Sequence, residues 1–180
     1  KERGRGRVFD NLVAELGLPV QASHSALWHY RTHPPRIALV PGGRETLLEL
    51  RQRGFRTGVV TDGMASVQDR KIRALGLDHL VDTVVCTDDL GHGCSKPSTT
   101  PFLVALGELG VLAKDAVYVG NDASKDFLGP NQLGMLSLAI HHRGGHVAAP
   151  PSPDHVAQRE LASLEALLDW VPVTGGVSHG

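Results

Sequence analysis

From Val40 onward the chain alternates short apolar runs with amphipathic stretches of ten or so residues, and few folds accommodate that rhythm. The runs are Thr57–Thr61, Val81–Thr87, Ala116–Val119 and Leu136–Ile140. Each is short and apolar, as a strand buried on both faces requires. Before and between them, Arg44–Arg53, Met64–Leu75, Phe102–Leu109 and Ser124–Leu133 carry leucines, isoleucine or phenylalanine at helical spacing, the first three followed by glycines suited to helix termination. Strand–helix alternation predicts βαβ units, hence an α/β fold with a parallel sheet and helices on both faces. Leu47, Leu48 and Leu50 are expected to face the core, as is the whole set Phe102, Leu103, Ala105, Leu106 and Leu109. Leu161, Leu164, Leu167 and Leu168 predict a final helix.

The first 36 residues read differently. Phe9, Leu12, Val13 and Leu16 mark one helix, residues 22–30 a second, and no strand signal accompanies them. The expected organisation is a helical piece over 1–36, an α/β core over 37–170 and a loose tail over 171–180.

Charge excludes several function classes. The formal net charge of −1 gives no electrostatic footprint for nucleic acid or an anionic membrane. The early arginines Arg3, Arg5 and Arg7 read as a solvated terminus. No apolar stretch is long enough to span a bilayer. Cys86 lies in an apolar run and reads as a buried thiol; Cys94 sits in a glycine-rich loop. With no disulfide framework, a reducing, cytoplasmic setting is expected.

In open parallel sheets, ligands gather beyond the carboxyl ends of the strands. Three such ends carry polar groups. Thr61-Asp62-Gly63 sets a hydroxyl and a glycine before a helix start, where N–H groups hold phosphate, although turn and capping chemistry produces the same tripeptide. Lys96 precedes the next long helix, where a cation suits phosphate or carboxylate, although a lone lysine is more often a solvated one. Gly120-Asn121-Asp122 is followed by Asp126, four residues on, so a helix there would bring two carboxylates to one side. Such oxygens suit Mg²⁺; an N-capping aspartate explains the stretch equally well. His141, His142 and His146, or His92 with Cys94, offer donors for zinc, but neither group has a recognised paired spacing.

Taken together, a threonine at one strand end, a lysine before the next long helix and an acidic pair after the following strand resemble the haloacid dehalogenase (HAD) superfamily. Tyr30–Pro34 followed by Pro41–Leu47 resembles the cap-to-core junction of its helical-cap members, and Gln68–Leu77 and Gly129–Met135 agree. The resemblance implies a Rossmann-like HAD core with a partial N-terminal helical cap. It implies a Mg²⁺-dependent phosphatase acting on a small phosphorylated metabolite through an aspartyl-phosphate. Thr61, Asp62, Gly63 and Lys96 would bind the phosphoryl group, Lys96 also neutralising the nucleophile. Asp122 and Asp126, with Asn121 as an alternative, would help hold the ion.

One element of that pattern is missing. The family's first motif is an Asp-x-Asp pair closing an apolar strand, and no Asp-x-Asp occurs in these 180 residues. Asp10, the nearest substitute, has Leu12 two residues on and helical surroundings. Without a carboxylate to attack phosphorus, the chain alone is expected to be inactive and to bind Mg²⁺ weakly. In the family the missing strand lies between those represented here near 57–61 and 115–119, so these must pair directly or leave two buried edges. As the chain opens on Lys1, a longer natural polypeptide is expected. The competing expectation is a non-catalytic module that binds phosphate esters.

Overall fold

The structure, a computed structural model, describes residues 7–141 and 149–171. Arg3, Arg5, His142, His146 and the tail from residue 172 lie outside the described residues. The chain divides into two units, Lys1–Arg36 and Ile37–Gly180.

The first unit is a pair of helices, α1 (Val8–Glu15) and α2 (Gln21–Thr32). Phe9 and Tyr30 bring their rings within 5.7 Å. Only Val13 and Ser23 are buried in the pair, whereas Leu12 and Leu16, expected on an apolar face, are exposed.

The second unit contains α3 (Gly43–Gln52), β1 (Gly58–Thr61), α4 (Ala65–Leu75), β2 (Thr83–Cys86), α5 (Thr100–Leu109), β3 (Val117–Gly120), α6 (Leu128–Leu133), β4 (Leu136–Ile140) and β5 (Arg159–Leu161). All strand pairs are parallel, and the alternation of elements is the one the sequence rhythm predicts. Because side chains alternate across a strand, Val59 packs with Ile72, Leu77 and Val81 on one face. Val60 joins Phe102, Leu106 and Met135 on the other. Tyr118 belongs to that second cluster, and its neighbour Val119 to a third around Leu138, Ile140 and Leu161. Helices therefore cover both faces.

The strands form two separate sheets: β1 with β2, and β3–β4–β5. β1 and β3 do not pair with each other, so the alternative of two open edges is the one realised. The edges are not deeply buried. Gly58 and Val117 are exposed, and the remaining residues of both strands are half-buried.

Three local expectations are corrected. The helix expected over Ser124–Leu133 begins only at Leu128, because Asp126 turns inward to accept the N–H groups of Asn121 and Asp122 and closes a tight turn. The final helix is replaced by β5 and a 3₁₀ turn over Glu165–Asp169. Buried β4 presents backbone groups that need partners, and residues 159–161 supply them, in register with Leu138, Ala139 and Ile140. Leu48 and Leu103, expected inward, point to solvent, while Leu50 and Phe102 carry the core contacts of their helices.

Candidate functional site

The carboxyl ends of β1, β2 and β3 and the loop before α5 meet around two carboxylates. The first belongs to Asp126, only 3% exposed. Its Oδ2 accepts the backbone N–H groups of Asn121 (3.0 Å) and Asp122 (2.9 Å). Its Oδ1 accepts Lys96 Nζ at 2.9 Å and the Tyr118 hydroxyl at 3.4 Å. Burial acts to raise the Asp126 carboxyl's pKa. The Lys96 ammonium beside it, by charge and by hydrogen bond, together with the two backbone donors, outweighs burial and holds it below the usual carboxylate value.

The Lys96 ammonium sits between the two sheets. Besides Asp126 it reaches the Tyr118 hydroxyl at 3.3 Å and the carbonyl of Val60, on β1, at 3.5 Å. The last contact gives one backbone acceptor of β1 a side-chain donor. Burial, with the charges of Asp126 and Asp62, pushes the Tyr118 phenol far above its ordinary pKa, so it stays protonated and donates.

The second carboxylate is Asp62. Its Oδ1 accepts Thr87 Oγ1 and the Lys96 backbone N–H, each at 3.1 Å. Its Oδ2 lies 3.4 Å from Lys125 Nζ. One side chain thus ties together the end of β1, the end of β2, the loop carrying Lys96 and the loop after β3. Next to it, Gly63 adopts a φ of 116°, and a Cβ there would meet Gln68 Nε2 at 2.7 Å. Gln68 Nε2 in turn donates to the Asp62 carbonyl. Asp88 accepts the N–H of Ala65 at the start of α4. The N–H groups of Gly63 and Met64, and the Thr61 hydroxyl, have no acceptor among the described residues.

The structure therefore brings Thr61, Asp62, Gly63, Lys96 and Asp126 into one neighbourhood. Asp122 and Asp126 do not share a helix, since α6 begins only at Leu128. Asp122 Oδ1 accepts the N–H and hydroxyl of Ser124, and Asn121 is exposed. A hard divalent cation wants about six oxygen ligands. Asp126 has both oxygens committed, and one oxygen of Asp122 faces Ser124, so these residues alone do not fit Mg²⁺. Among the described residues, no three His, Cys, Asp or Glu side chains gather as they would around any metal ion. Cys94 donates its thiol to the Leu90 carbonyl, and His141, after β4, lies 3.8 Å from Glu160. Cys86, expected to be buried, is half-buried with its thiol 3.4 Å from the Gly63 carbonyl.

Sequence reasoning missed Thr87, Tyr118 and Lys125. Lys125 lies inside the acidic stretch and so carried a signal of its own; the other two read as ordinary strand residues.

The model of the family described as haloacid dehalogenase-like hydrolase matches residues 14–140. The chain belongs to that family. It is 33% identical over 168 residues to a glyceraldehyde 3-phosphate phosphatase of Methanopyrus kandleri, covering 92% of this chain and 71% of the relative. A second glyceraldehyde 3-phosphate phosphatase, from Methanocaldococcus jannaschii, is 32% identical and is covered over 75% of its length. Among solved structures, a HAD phosphatase from Thermococcus onnurineus superposes with a TM-score of 0.65 at 25% identity, covering 91% of this chain and 86% of that one. No helix among the described residues is long and apolar enough to cross a membrane.

Proposed function

We propose that this HAD-family chain carries the anion-holding part of a phosphatase for a small phosphate monoester, and that the attacking carboxylate comes from a segment outside these 180 residues. The observation that carries the reading is the Lys96 ammonium, anchored on Asp126 between the open edges of β1 and β3. Thr61, which closes β1, and the free N–H groups of Gly63 and Met64 just after it suit the equatorial phosphoryl oxygens. The relatives named for glyceraldehyde 3-phosphate support a small, singly phosphorylated metabolite as substrate.

In this reading a strand seated between β1 and β3 brings an Asp-x-Asp pair. The first carboxylate attacks phosphorus, the ester P–O bond breaks, and the leaving oxygen takes its proton from the second; water then hydrolyses the aspartyl-phosphate. Lys96 neutralises negative charge on the phosphoryl group and on the incoming carboxylate. Asp62 keeps the Thr61 loop and the Lys96 loop in register through Thr87 and the Lys96 N–H. Mg²⁺ would be held by Asp122, with Asn121 beside it, only once the strand's carboxylates complete its oxygen set. Residues 1–36 form part of the cap in this scheme, with 37–170 the core.

Assaying p-nitrophenyl phosphate hydrolysis with Mg²⁺ tests the proposal. The 180-residue chain should be inactive. A version extended by an Asp-x-Asp strand should turn over, and Lys96→Ala should abolish that turnover. Undiminished turnover in Lys96→Ala would refute the assignment. The second reading, a non-catalytic phosphate-ester binder, is favoured by the lack of any Asp-x-Asp pair in the sequence. It requires binding without turnover in the extended version as well.

A further inference from the structure

Holding a lysine in place is a separate problem from giving it a counter-ion, and the structure assigns the two tasks to different residues. The four-carbon stem of lysine loses up to about 2 kcal/mol of rotamer freedom when it is fixed. Asp126 fixes it but also cancels its charge, so a lysine held by Asp126 alone has little field left for an incoming anion. The Tyr118 hydroxyl, 3.3 Å from Nζ, offers an acceptor that carries no charge. The same hydroxyl lies 3.4 Å from Asp126 Oδ1, so it accepts from the ammonium and donates to the carboxylate. It is itself firmly placed. The ring stands edge-on to Phe102, with centroids 4.9 Å apart at 87°, and Phe102 is 1% exposed on α5. Phe102 follows Lys96 by six residues, so the segment that delivers the ammonium also packs the ring that receives it.

We propose that Tyr118 is a positioning residue for Lys96. Its neutral hydroxyl holds the ammonium at the opening between β1 and β3 and keeps it from collapsing wholly onto Asp126. This role deepens the proposed function and rests on it, while the Tyr118–Lys96 link stands on the geometry alone.

The test uses the 180-residue chain labelled with ¹⁵N-lysine. An ammonium held by several acceptors exchanges its protons slowly enough to give a ¹⁵N–¹H signal, and Lys96→Arg identifies that signal by its loss. Tyr118→Phe keeps the ring against Phe102 and removes one oxygen. Exchange at Lys96 should accelerate about fivefold, the equivalent of one hydrogen bond of about 1 kcal/mol, and inorganic phosphate should bind about fivefold more weakly. An unchanged Lys96 signal and exchange rate in Tyr118→Phe would overturn the proposal. A changed signal in a chain whose wild type binds no inorganic phosphate refutes the anion-site reading and leaves the Tyr118–Lys96 link standing. If Tyr118→Phe does not fold, 3-fluorotyrosine in a Tyr30→Phe background labels Tyr118 alone, since the chain has 2 tyrosines. Its incorporation should then shift the Lys96 signal, and no shift overturns the proposal.

Discussion

Replacing Asp126 by asparagine removes a charge while nearly preserving shape, and its cost follows from burial. The Asp126 side chain is 4% exposed and that of Lys96 9%, so the pair is shielded from solvent on both sides. Breaking a buried pair by removing one partner costs about 3–5 kcal/mol, because the other charge is left uncompensated. Asparagine still offers one oxygen, to the ammonium or to the two backbone N–H groups but not to both, which puts the expected loss at about 3 kcal/mol. For a chain of this size that is roughly 6–12 °C in Tm. The assay is urea and thermal unfolding followed by circular dichroism from pH 7 downward. The folded carboxyl lies below its ordinary value of 3.8. Its stabilisation is therefore fully present above that value and is lost as pH falls through the lower, folded one. The gap between wild type and Asp126→Asn should stay constant to about pH 4 and close below it. Adding Lys96→Met should recover much of the loss, since both charges are then gone. A gap under about 1 kcal/mol at neutral pH, or one that persists in acid, would refute the account of Asp126 as an ionised anchor.

Other expectations follow from contacts already described. Asp62→Ala removes the acceptor shared by Thr87, the Lys96 N–H and Lys125, and should cost about 2 kcal/mol in urea unfolding, with Asp62→Asn losing less. Gly129→Ala places a Cβ 2.6 Å from Phe102 and 3.0 Å from the Pro97 carbonyl; overpacking of about 1–3 kcal/mol should appear as a lowered Tm. Asn131→Ala removes the donor to the Asp154 and Val156 carbonyls and the acceptor of the buried Ser137 hydroxyl. It should lower stability by about 2 kcal/mol and raise hydrogen exchange in residues 154–158.

Much of the α/β unit was legible because its information is periodic and local. Val59 and Val60 sit on opposite faces, and Ile72, Leu106 and Leu138 are buried where their spacing puts them. β5 was not legible, because Arg159-Glu160-Leu161 carries no strand alternation and is recruited by the open side of β4. The site was legible as far as residue types at strand ends allow. Lys96 and Asp126 pair at 2.9 Å, and Asp62, next to Thr61, accepts the Lys96 N–H, but the task of Asp126 was hidden. A carboxylate four residues after another looks the same whether it faces an ion or turns inward to backbone N–H groups. Tyr118 was hidden for a similar reason, as its hydroxyl partners Lys96, which lies 22 residues away in the chain.

The division of the strands into two sheets bears on how the α/β unit comes apart. A continuous sheet transmits order from strand to strand through backbone hydrogen bonds, but between β1 and β3 that transmission passes through side chains. It runs through α5, which packs against β1 and β2 and shares a cluster with Tyr118, through α3, which packs on the turn over Glu165–Asp169 and whose following residue Arg53 donates to the Leu168 carbonyl, and through the Lys96 and Lys125 ion pairs. The two halves, though parts of one compact unit, are therefore expected to open as separate cooperative units. Amide protection should fall into two levels separated at this seam, and whatever seats itself there would weld them into one.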